Sequence, residues 1–238
     1  SGSMDLPSLR PTVSVLLLFG MVVLLPGVAC SGTTPPPSDP SEEGPTQSEL
    51  DNALREAVTT GNASAIPTLV EEGANVGVRW KFDESLLMKA AERGDEPSVQ
   101  ALLAAGADVD GSNSWGHTAL FKAVIGEHVE VVEHLLEVGA DPEPRAKFGF
   151  TPLRVAAEKG SLQICRLLLE AGADANPITK QGDTPLMIAA MTGDLAVVRL
   201  LLEHGADPSI VAEGDATASS LAREGGHLEV VQLLETYE

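Results

Sequence analysis

The sequence predicts an all-α solenoid of about six stacked helix-loop-helix repeats, and three observations lead to this fold class. A Gly-Ala-Asp or Gly-Ala-Asn motif recurs every 33 residues, beginning at Gly73, Gly106, Gly139, Gly172 and Gly205. A second motif, most complete as Thr-Pro-Leu, recurs with the same period from Ser85, Thr118, Thr151, Thr184 and Thr217. Two motifs in fixed register define a repeat array. The abundance of alanine, leucine, glutamate and glycine favours helices that end at regular glycines.

The N-terminal residues have the pattern of an export signal. Arg10 precedes an apolar run of 18 residues that leads into Cys30. This run is shorter than a typical membrane span of about 20 residues, and Gly27 and Ala29 supply the small residues of a cleavage site. Residues 1–29 are therefore predicted to be a signal peptide. Residues 1–3, which precede Met4, are interpreted as a cloning remnant.

Cys30 is the predicted point of lipid attachment. The sequence Gly27-Val28-Ala29-Cys30 resembles a bacterial lipobox, and the resemblance implies cleavage after Ala29 and acylation of Cys30. The pattern usually has leucine where Gly27 stands, and the spacing also suits an ordinary signal peptidase. The expected location is the bacterial cell envelope, with the domain facing the periplasm. Secretion, or retention by an uncleaved N-terminal membrane anchor, stays open as the alternative.

Residues 30–47 comprise this cysteine and a polar, proline-rich segment from Ser31 to about Gln47, which predicts a disordered tether. A proline-rich chain extends at about 3.1 Å per residue, so this tether holds the next domain up to roughly 50 Å from a lipid surface. The repeat domain itself is predicted to span residues 48–238.

Each repeat unit encodes a pair of helices. In the unit TPLMIAAMTGDLAVVRLLLEHGAD, Thr184 is placed to cap the first helix and Pro185 to occupy its first turn. Gly193 ends the first helix and Gly205 ends the second. The second helix has an apolar face formed by Val197, Val198, Leu201 and Leu202. Because one helix pair cannot bury this face alone, neighbouring units must stack.

These motifs resemble the ankyrin-repeat family, over roughly residues 48–238. Complete units span 79–111, 112–144, 145–177 and 178–210, between degenerate ends. The resemblance implies helix pairs joined by β-hairpin fingers, and binding of other proteins through the finger tips and the concave face of the first helices. The histidine that commonly follows Thr-Pro-Leu in this family is absent. Its place is taken by Met88, Phe121, Arg154, Met187 and Ser220.

Aromatic residues concentrate in the predicted fingers. Phe82, Trp115 and Phe148 occupy the same position in three successive units, so stacking places them in a row of roughly 20 Å. The equivalent positions of the next two units hold Gln181 and Gly214. The fold therefore does not require an aromatic residue there, and binding of a partner becomes the favoured explanation.

Basic residues flank these aromatics, a combination common in the energetic centres of protein interfaces. Family resemblance adds the ends of the first helices, where Arg93, Ile125, Lys159 and Met191 lie. The predicted partner-binding residues are Arg79, Trp80, Lys81, Phe82, Trp115, His117, Arg145, Lys147, Phe148, Phe150, Ile125 and Met191. Two alternatives stay open: some finger rings pack on neighbouring fingers, with Phe150 the weakest candidate, and Ile125 and Met191 pack under the following loops.

The charge balance constrains the partner. With 35 acidic and 15 basic residues the formal net charge is −20, which argues against nucleic acid and favours a partner with a basic surface. The second helices contribute many of these acids: Glu127, Glu130, Glu133, Glu137, Glu170, Glu203 and Glu229. They form either a solvated face or a surface that steers a basic partner.

No pattern in the chain indicates catalysis, a cofactor, a metal site or a small-molecule substrate. His128 and His227 fall in turns between paired helices, where structural hydrogen bonding is expected. Cys165 takes the place of valine in the equivalent positions 99, 132, 198 and 231, so it is predicted to be buried, without a disulfide to Cys30. The resulting hypothesis is a protein-binding module that inhibits or protects one envelope enzyme. A structural adaptor that tethers a complex at the membrane is the alternative.

Overall fold

The computed structural model describes residues 44–237, which form six consecutive helix pairs, the number predicted. The first helices of the pairs are α1 (Gln47–Thr60), α3 (Leu86–Glu92), α5 (Ala119–Ile125), α7 (Pro152–Lys159), α9 (Pro185–Thr192) and α11 (Ala218–Glu224). The second helices are α2 (Ala65–Glu71), α4 (Glu96–Ala104), α6 (Val129–Glu137), α8 (Leu162–Glu170), α10 (Leu195–Glu203) and α12 (Leu228–Leu234). The all-α repeat architecture is confirmed.

The N-terminal predictions fall largely outside this part of the chain. The signal peptide, Cys30 and the tether up to residue 43 lie outside the described residues. Within residues 44–237, no helix is both long enough and apolar enough to cross a membrane. Thr46 caps α1 by accepting the N–H of Glu49, while the Glu49 carboxylate accepts the N–H of Thr46 at 2.8 Å. This reciprocal capping box fixes where the repeat array begins.

The helix pairs stack in two layers. Each first helix packs against the first helices of adjacent units, and each second helix packs against the adjacent second helices. Contact within the layer of first helices is the more extensive. In the sequence, the predicted fingers lie directly before each first helix from α3 to α11.

The core repeats with the period of the sequence. The first helices from α3 to α9 share a buried leucine at the equivalent positions 87, 120, 153 and 186, and the second helices from α4 to α12 contribute Leu102, Leu135, Leu168, Leu201 and Leu234. All are essentially inaccessible to solvent. Cys165 is buried among them as predicted, and burial raises the pKa of its thiol to about 12. It therefore behaves as a small apolar side chain.

The first helices begin without the family's histidine. The hydroxyl at the N-cap accepts the N–H three residues later in each case, as in Ser85 with Met88 at 3.2 Å and Thr184 with Met187 at 3.3 Å. The N-cap hydroxyls therefore satisfy these backbone N–H groups without a histidine side chain. The side chain at the histidine position is then free to fill the core, and Met88, Phe121 and Met187 are buried there.

Two histidines tie adjacent units together, as predicted. His128 Nε2 donates to the carbonyl of Glu92 at 3.0 Å, and His227 Nε2 donates to the carbonyl of Met191 at 3.1 Å. Each bond satisfies a carbonyl at the C-terminal end of the preceding unit's first helix. The His128 ring lies so close to Gly94 that a Cβ there would overlap it, and Gly94 also has φ +69°. Both constraints require glycine at this turn.

Candidate protein-binding surface along the fingers

Five loops of equal length connect the repeat units: finger 1 (79–84), finger 2 (112–117), finger 3 (145–150), finger 4 (178–183) and finger 5 (211–216). In every finger, the N–H of the second residue donates to the carbonyl of the sixth, at 2.8 Å in finger 1 and 3.1 Å in finger 4. The predicted β-hairpins are therefore single tight turns. Among residues 44–237 the structure has only one isolated β-bridge, between Arg79 and Ser85.

A ladder of hydrogen bonds holds the finger tips in register. The carbonyl of the fourth residue of each finger accepts the N–H of the third residue of the next finger. The four bonds join Phe82 to Ser114 (3.0 Å), Trp115 to Lys147 (2.9 Å), Phe148 to Lys180 (2.9 Å) and Gln181 to Glu213 (3.1 Å). Phe82, Trp115 and Phe148 consequently lie in one row along the tips, as the sequence period predicts.

The five finger aromatics divide into two groups. Phe82, Trp115 and Phe148 are 67%, 46% and 53% exposed. Trp80 and Phe150 are half-buried and pack against the hydrophobic core. The packing alternative therefore holds for Trp80 and Phe150, whereas the other three rings project into solvent. The guanidinium of Arg154 lies 4.1 Å from the Phe150 ring centroid, which further secures that ring inside the array.

Lysines from the following finger cover two of the exposed rings. Lys147 Nζ lies 4.0 Å from the centroid of the Trp115 ring, and Lys180 Nζ lies 5.9 Å from that of Phe148. These are cation–π arrangements. Ser114 stands at the equivalent position next to Phe82, so Phe82 has no such cover. Lys180 was not among the residues predicted from the sequence, although its 33-residue register with Lys147 could have identified it.

The predicted basic residues have different environments. Arg79 binds within the array: its guanidinium donates to the carbonyls of Asp83 at 2.8 Å and Ser112 at 3.2 Å and lies 3.7 Å from the Asp83 carboxylate. Arg79 therefore joins finger 1 to finger 2. Lys81 and Arg145 are exposed, and neither has a carboxylate within 4.0 Å among the described residues.

An ion-pair network joins the first helices α3 and α5 to finger 1, and the repeat pattern of the sequence gives no sign of it. Lys122 Nζ lies 2.6 Å from Glu84 and 3.1 Å from Glu92, and Lys89 lies 2.6 Å from Glu92. Burial lowers the pKa of Lys122, but its hydrogen bonds to both carboxylates outweigh that effect and raise it. The Lys89 ammonium lowers the pKa of Glu92. Each of these four side chains is therefore paired with an opposite charge inside the array.

His117 lies at the base of finger 2 and stacks on the buried Phe121, with ring centroids 4.6 Å apart and an interplanar angle of 7°. Burial lowers the pKa of His117, and the neighbouring Lys122 lowers it further. The imidazole is therefore neutral near pH 7. It supports the finger and is only half exposed to a partner.

A hollow of about 400 Å³ opens between finger 1 and the first helices. Its lining comprises Thr59, Trp80, Lys81, Phe82, Glu84 and Lys89. Farther along the layer of first helices, Ile125 at the end of α5 and Met191 near the end of α9 are 37% and 47% exposed. The following loops therefore leave them uncovered, but they are separate from the finger row and from each other.

The second helices present the predicted acidic face. Glu130, Glu133 and Glu137 on α6 are exposed, as are Glu170 on α8 and Glu203 on α10. The exposed glutamates are most concentrated on α6, whereas α8 and α10 each also carry an exposed arginine, Arg166 and Arg199. Across residues 44–237 there is no group of His, Cys, Asp or Glu side chains suited to hold a metal ion.

Comparison with known proteins agrees with this geometry. A family model described as ankyrin repeats (3 copies) matches residues 54–146 and again residues 139–212, together more than half of the chain. No curated protein matches the chain in sequence. Ankyrin repeats are protein–protein interaction modules and generally have no enzymatic activity. By its repeat period, its stacked helix pairs and its family match, the chain belongs to the ankyrin-repeat family.

Proposed function

We propose that this chain binds one specific protein of the bacterial cell envelope through its finger tips and inhibits or protects that protein. The observation that carries the proposal is the row of exposed rings at Phe82, Trp115 and Phe148. Aromatic residues, Phe and Trp among them, are enriched in protein interfaces, and Trp is one of the residues that most often supply a large share of the binding energy. Fingers 4 and 5 keep the same ladder with Gln181 and Gly214 in the row, so the rings are not needed for folding.

The proposed partner is a periplasmic enzyme whose overall surface is basic. Support comes from the net charge of −20 and the exposed glutamates of the second helices, which attract a basic protein and speed its approach. Acylation of Cys30 would anchor the chain to a membrane and leave the repeat domain in the periplasm. An adaptor that tethers a complex without altering its activity is the second candidate, favoured by the separate exposed patches at Ile125 and Met191.

Affinity capture from the envelope fraction tests the binding surface. The variant Phe82→Gly, Trp115→Gln, Phe148→Gly replaces each ring by the residue found at the same position in finger 4 or finger 5. We expect it to fold normally and to bind the captured partner at least roughly a hundredfold more weakly, since two or more interface anchors are lost. The matched control is Val138→Gln, Leu228→Gln, which removes exposed apolar side chains directly after α6 and at the start of α12. A finger variant that still binds normally would move the interface elsewhere.

The activity of the captured enzyme then separates the two candidate functions. An inhibitor or immunity protein reduces that activity when added in stoichiometric amounts, and the finger variant fails to do so. An adaptor leaves the activity unchanged in both cases.

Mass spectrometry of the protein from its native membrane tests the anchor. The expected mature N-terminus is an acylated Cys30. An unmodified N-terminal cysteine or an intact apolar segment would reject the lipoprotein assignment, without bearing on the finger surface.

A further inference from the structure

We infer that the chain has a second binding surface, a trough over α4, which receives an amphipathic helix with lysine or arginine side chains on both sides of an apolar stripe. The trough lies in the layer of second helices, between α2 and α6, and none of its lining residues belongs to a finger. The inference is therefore independent of the proposed function, and the bound helix belongs to a second partner.

Two hollows meet at Ala104 and form this trough. The larger, of about 610 Å³, opens between Ala104 on α4, His134 on α6 and Val138 directly after α6. The smaller, of about 240 Å³, opens between Ala104 and the side chains of Val70 and Glu71 at α2. Helix α4 is therefore the floor of the trough, and α2 and α6 are its walls.

Small side chains keep the floor low, and the repeat does not require them. The residues equivalent to Ala104 in α2, α6, α8 and α10 are Glu71, Glu137, Glu170 and Glu203. The residues equivalent to Ala101 in α8, α10 and α12 are Leu167, Leu200 and Leu233. Longer side chains are thus compatible with the fold at both positions, so the trough is a departure of α4 from the repeat.

The trough has the shape that receives a helix. Gln100, Leu103, Ala104 and Ala107 line the larger hollow at spacings of three and four residues, so this hollow runs along the axis of α4. Packed helices lie about 8–10 Å apart, and the side chains at the contact set that distance. The alanines of the floor allow a close approach, and Leu103 offers it apolar contact.

The walls of the trough are acidic. Residues 61–78, 94–111 and 126–144, which contain α2, α4, α6 and the loops after them, include no lysine or arginine. Glu71 lies on one wall, Glu133 and Glu137 lie on the other, and all three are exposed. By contrast, α8 and α10 carry arginines. Helix α12 also lacks basic residues, but Leu233 stands there in the place of Ala101.

Shape and charge together select the occupant. An amphipathic helix presents apolar side chains along one stripe and polar side chains on either side of it, which matches an apolar floor between acidic walls. Lysine and arginine beside the stripe would meet the wall glutamates with complementary charge. An acidic helix is repelled by the same walls, and so is a second copy of this chain, whose net charge is −20.

Peptide binding tests the trough with a defined probe. The probe is the amidated peptide (Lys-Leu-Ala-Lys-Ala-Leu-Lys)2 with an N-terminal fluorescein, whose leucines share one face when it is helical. Its matched control is (Lys-Leu-Ala-Lys-Pro-Leu-Lys)2, which keeps the charge and the leucines but cannot form a continuous helix. Because a chain this acidic attracts any polycation, the comparison of two equally charged peptides is decisive. Fluorescence anisotropy at physiological ionic strength measures both affinities.

We expect one helical peptide to bind per chain, at least roughly tenfold more tightly than the proline peptide. Ala104→Gln fills the trough with a side chain of the shape found at this place in four other second helices, and should weaken binding at least roughly tenfold. The matched control Ala196→Gln places the same side chain at an exposed alanine of α10, and should leave the affinity unchanged. Glu133→Gln with Glu137→Gln should weaken binding and reduce its dependence on salt.

Three results would overturn the inference: equal affinity of the two peptides, no binding of the helical peptide, or unchanged affinity in Ala104→Gln. Thermal unfolding checks that this variant is folded. If it melts early, the exposed pair Glu133→Gln, Glu137→Gln decides instead, and unchanged affinity and salt dependence there would count against the trough. Self-association of the chain that Ala104→Gln abolishes would assign the trough to a second copy, and would overturn the inference as well.

The two binding surfaces can be tested separately. The variant Phe82→Gly, Trp115→Gln, Phe148→Gly should bind the helical peptide as the wild type does, and a loss of the peptide in this variant would place the peptide at the fingers. If that variant loses the captured envelope protein while the wild type binds no peptide, the finger surface stands and the trough is rejected. Peptide binding that Ala104→Gln removes, together with capture that the finger variant leaves intact, would support the trough and reject the finger surface.

Discussion

Phe82 and Phe148 hold a backbone conformation that glycine adopts far more readily. Their φ angles are +62° and +66°, and Gly214 at the same position of finger 5 has φ +75°. A left-handed backbone costs a residue with a side chain about 1–2 kcal/mol. Strain of this kind concentrates at functional sites, where the surrounding structure maintains it. The two exposed phenylalanines are therefore placed where stability alone would favour glycine.

The same backbone conformation explains why the sequence could not separate inward from outward rings. In a regular strand, residues 80 and 82 would point to the same side, because side chains alternate with a period of two. The left-handed turn at Phe82 reverses the chain, so Trp80 packs on the core while Phe82 points into solvent. Spacing predicted the row at Phe82, Trp115 and Phe148, and the sequence already made Phe150 the weakest binding candidate, but it did not predict the partial burial of Trp80.

Replacing both strained phenylalanines by glycine should leave the free energy of unfolding within about 1 kcal/mol of wild type. Relief of backbone strain offsets the roughly 0.5–1 kcal/mol that each glycine loses through chain entropy. By contrast, Phe121→Ala removes a ring that is only 2% exposed, and should destabilise the chain by about 3–5 kcal/mol. Urea denaturation of both variants checks this. A glycine variant as unstable as Phe121→Ala would show that the exposed rings hold the fingers together.

At the scale of elements, the Lys122 network joins three parts of the array. Lys122 extends from α5, Lys89 and Glu92 lie on α3, and Glu84 lies in finger 1. The side chain of Lys122 is only 12% exposed, so its two ion pairs are shielded from solvent. The sequence did not reveal this network because the equivalent residues of the next two units are Val155 and Ile188. The network is local to two adjacent units and has no repeat signature.

Lys122→Met should lower the free energy of unfolding at neutral pH by about 1–2 kcal/mol, because it leaves Glu84 and Glu92 without their shared partner. The folded state lowers the pKa of Glu92 from 4.5, so its contribution is present above that pH and is lost as pH falls through the folded value. The folded state raises the pKa of Lys122 from 10.5, so its contribution is present below that pH and is lost as pH rises further.

Denaturation curves at several pH values check the network. The difference between wild type and Lys122→Met should be largest on the neutral plateau and shrink toward acidic pH. The matched control is Lys159→Met, since Lys159 lies 3.8 Å from Glu127 with both side chains well exposed. Exposed pairs contribute little, so the control should stay within about 0.5 kcal/mol of wild type. Equal effects of the two substitutions would reject a special role for the network.

At the scale of the whole molecule, the 33-residue period predicted the helix pairs, their number and the core. It succeeds because each unit buries its apolar face only against its neighbours, so fold information is local and repeated. The leucine series from Leu102 to Leu234 follows this period without exception. Function is not repeated in the same way: aromatic residues occupy the tip row in only three of the five fingers. The proposed binding surface therefore rests on departures from the period, which the repeated fold does not require.

The acidic helix α6 and the exposed finger rings should affect different rate constants of binding. Substitution of Glu130, Glu133 and Glu137 by glutamine weakens the long-range field of the acidic helices without touching the fingers. We expect it to slow association with a basic partner, to reduce the dependence of the association rate on salt, and to leave dissociation nearly unchanged. The glycine variant of Phe82 and Phe148 should do the reverse, because lost short-range contacts appear mainly in the dissociation rate.

Surface plasmon resonance at two ionic strengths measures both rates. If the glutamine variant alters the dissociation rate as strongly as the finger variant does, the acidic helix α6 is itself part of the contact surface. The assignment of long-range attraction to α6 and of short-range contacts to the fingers would then be wrong.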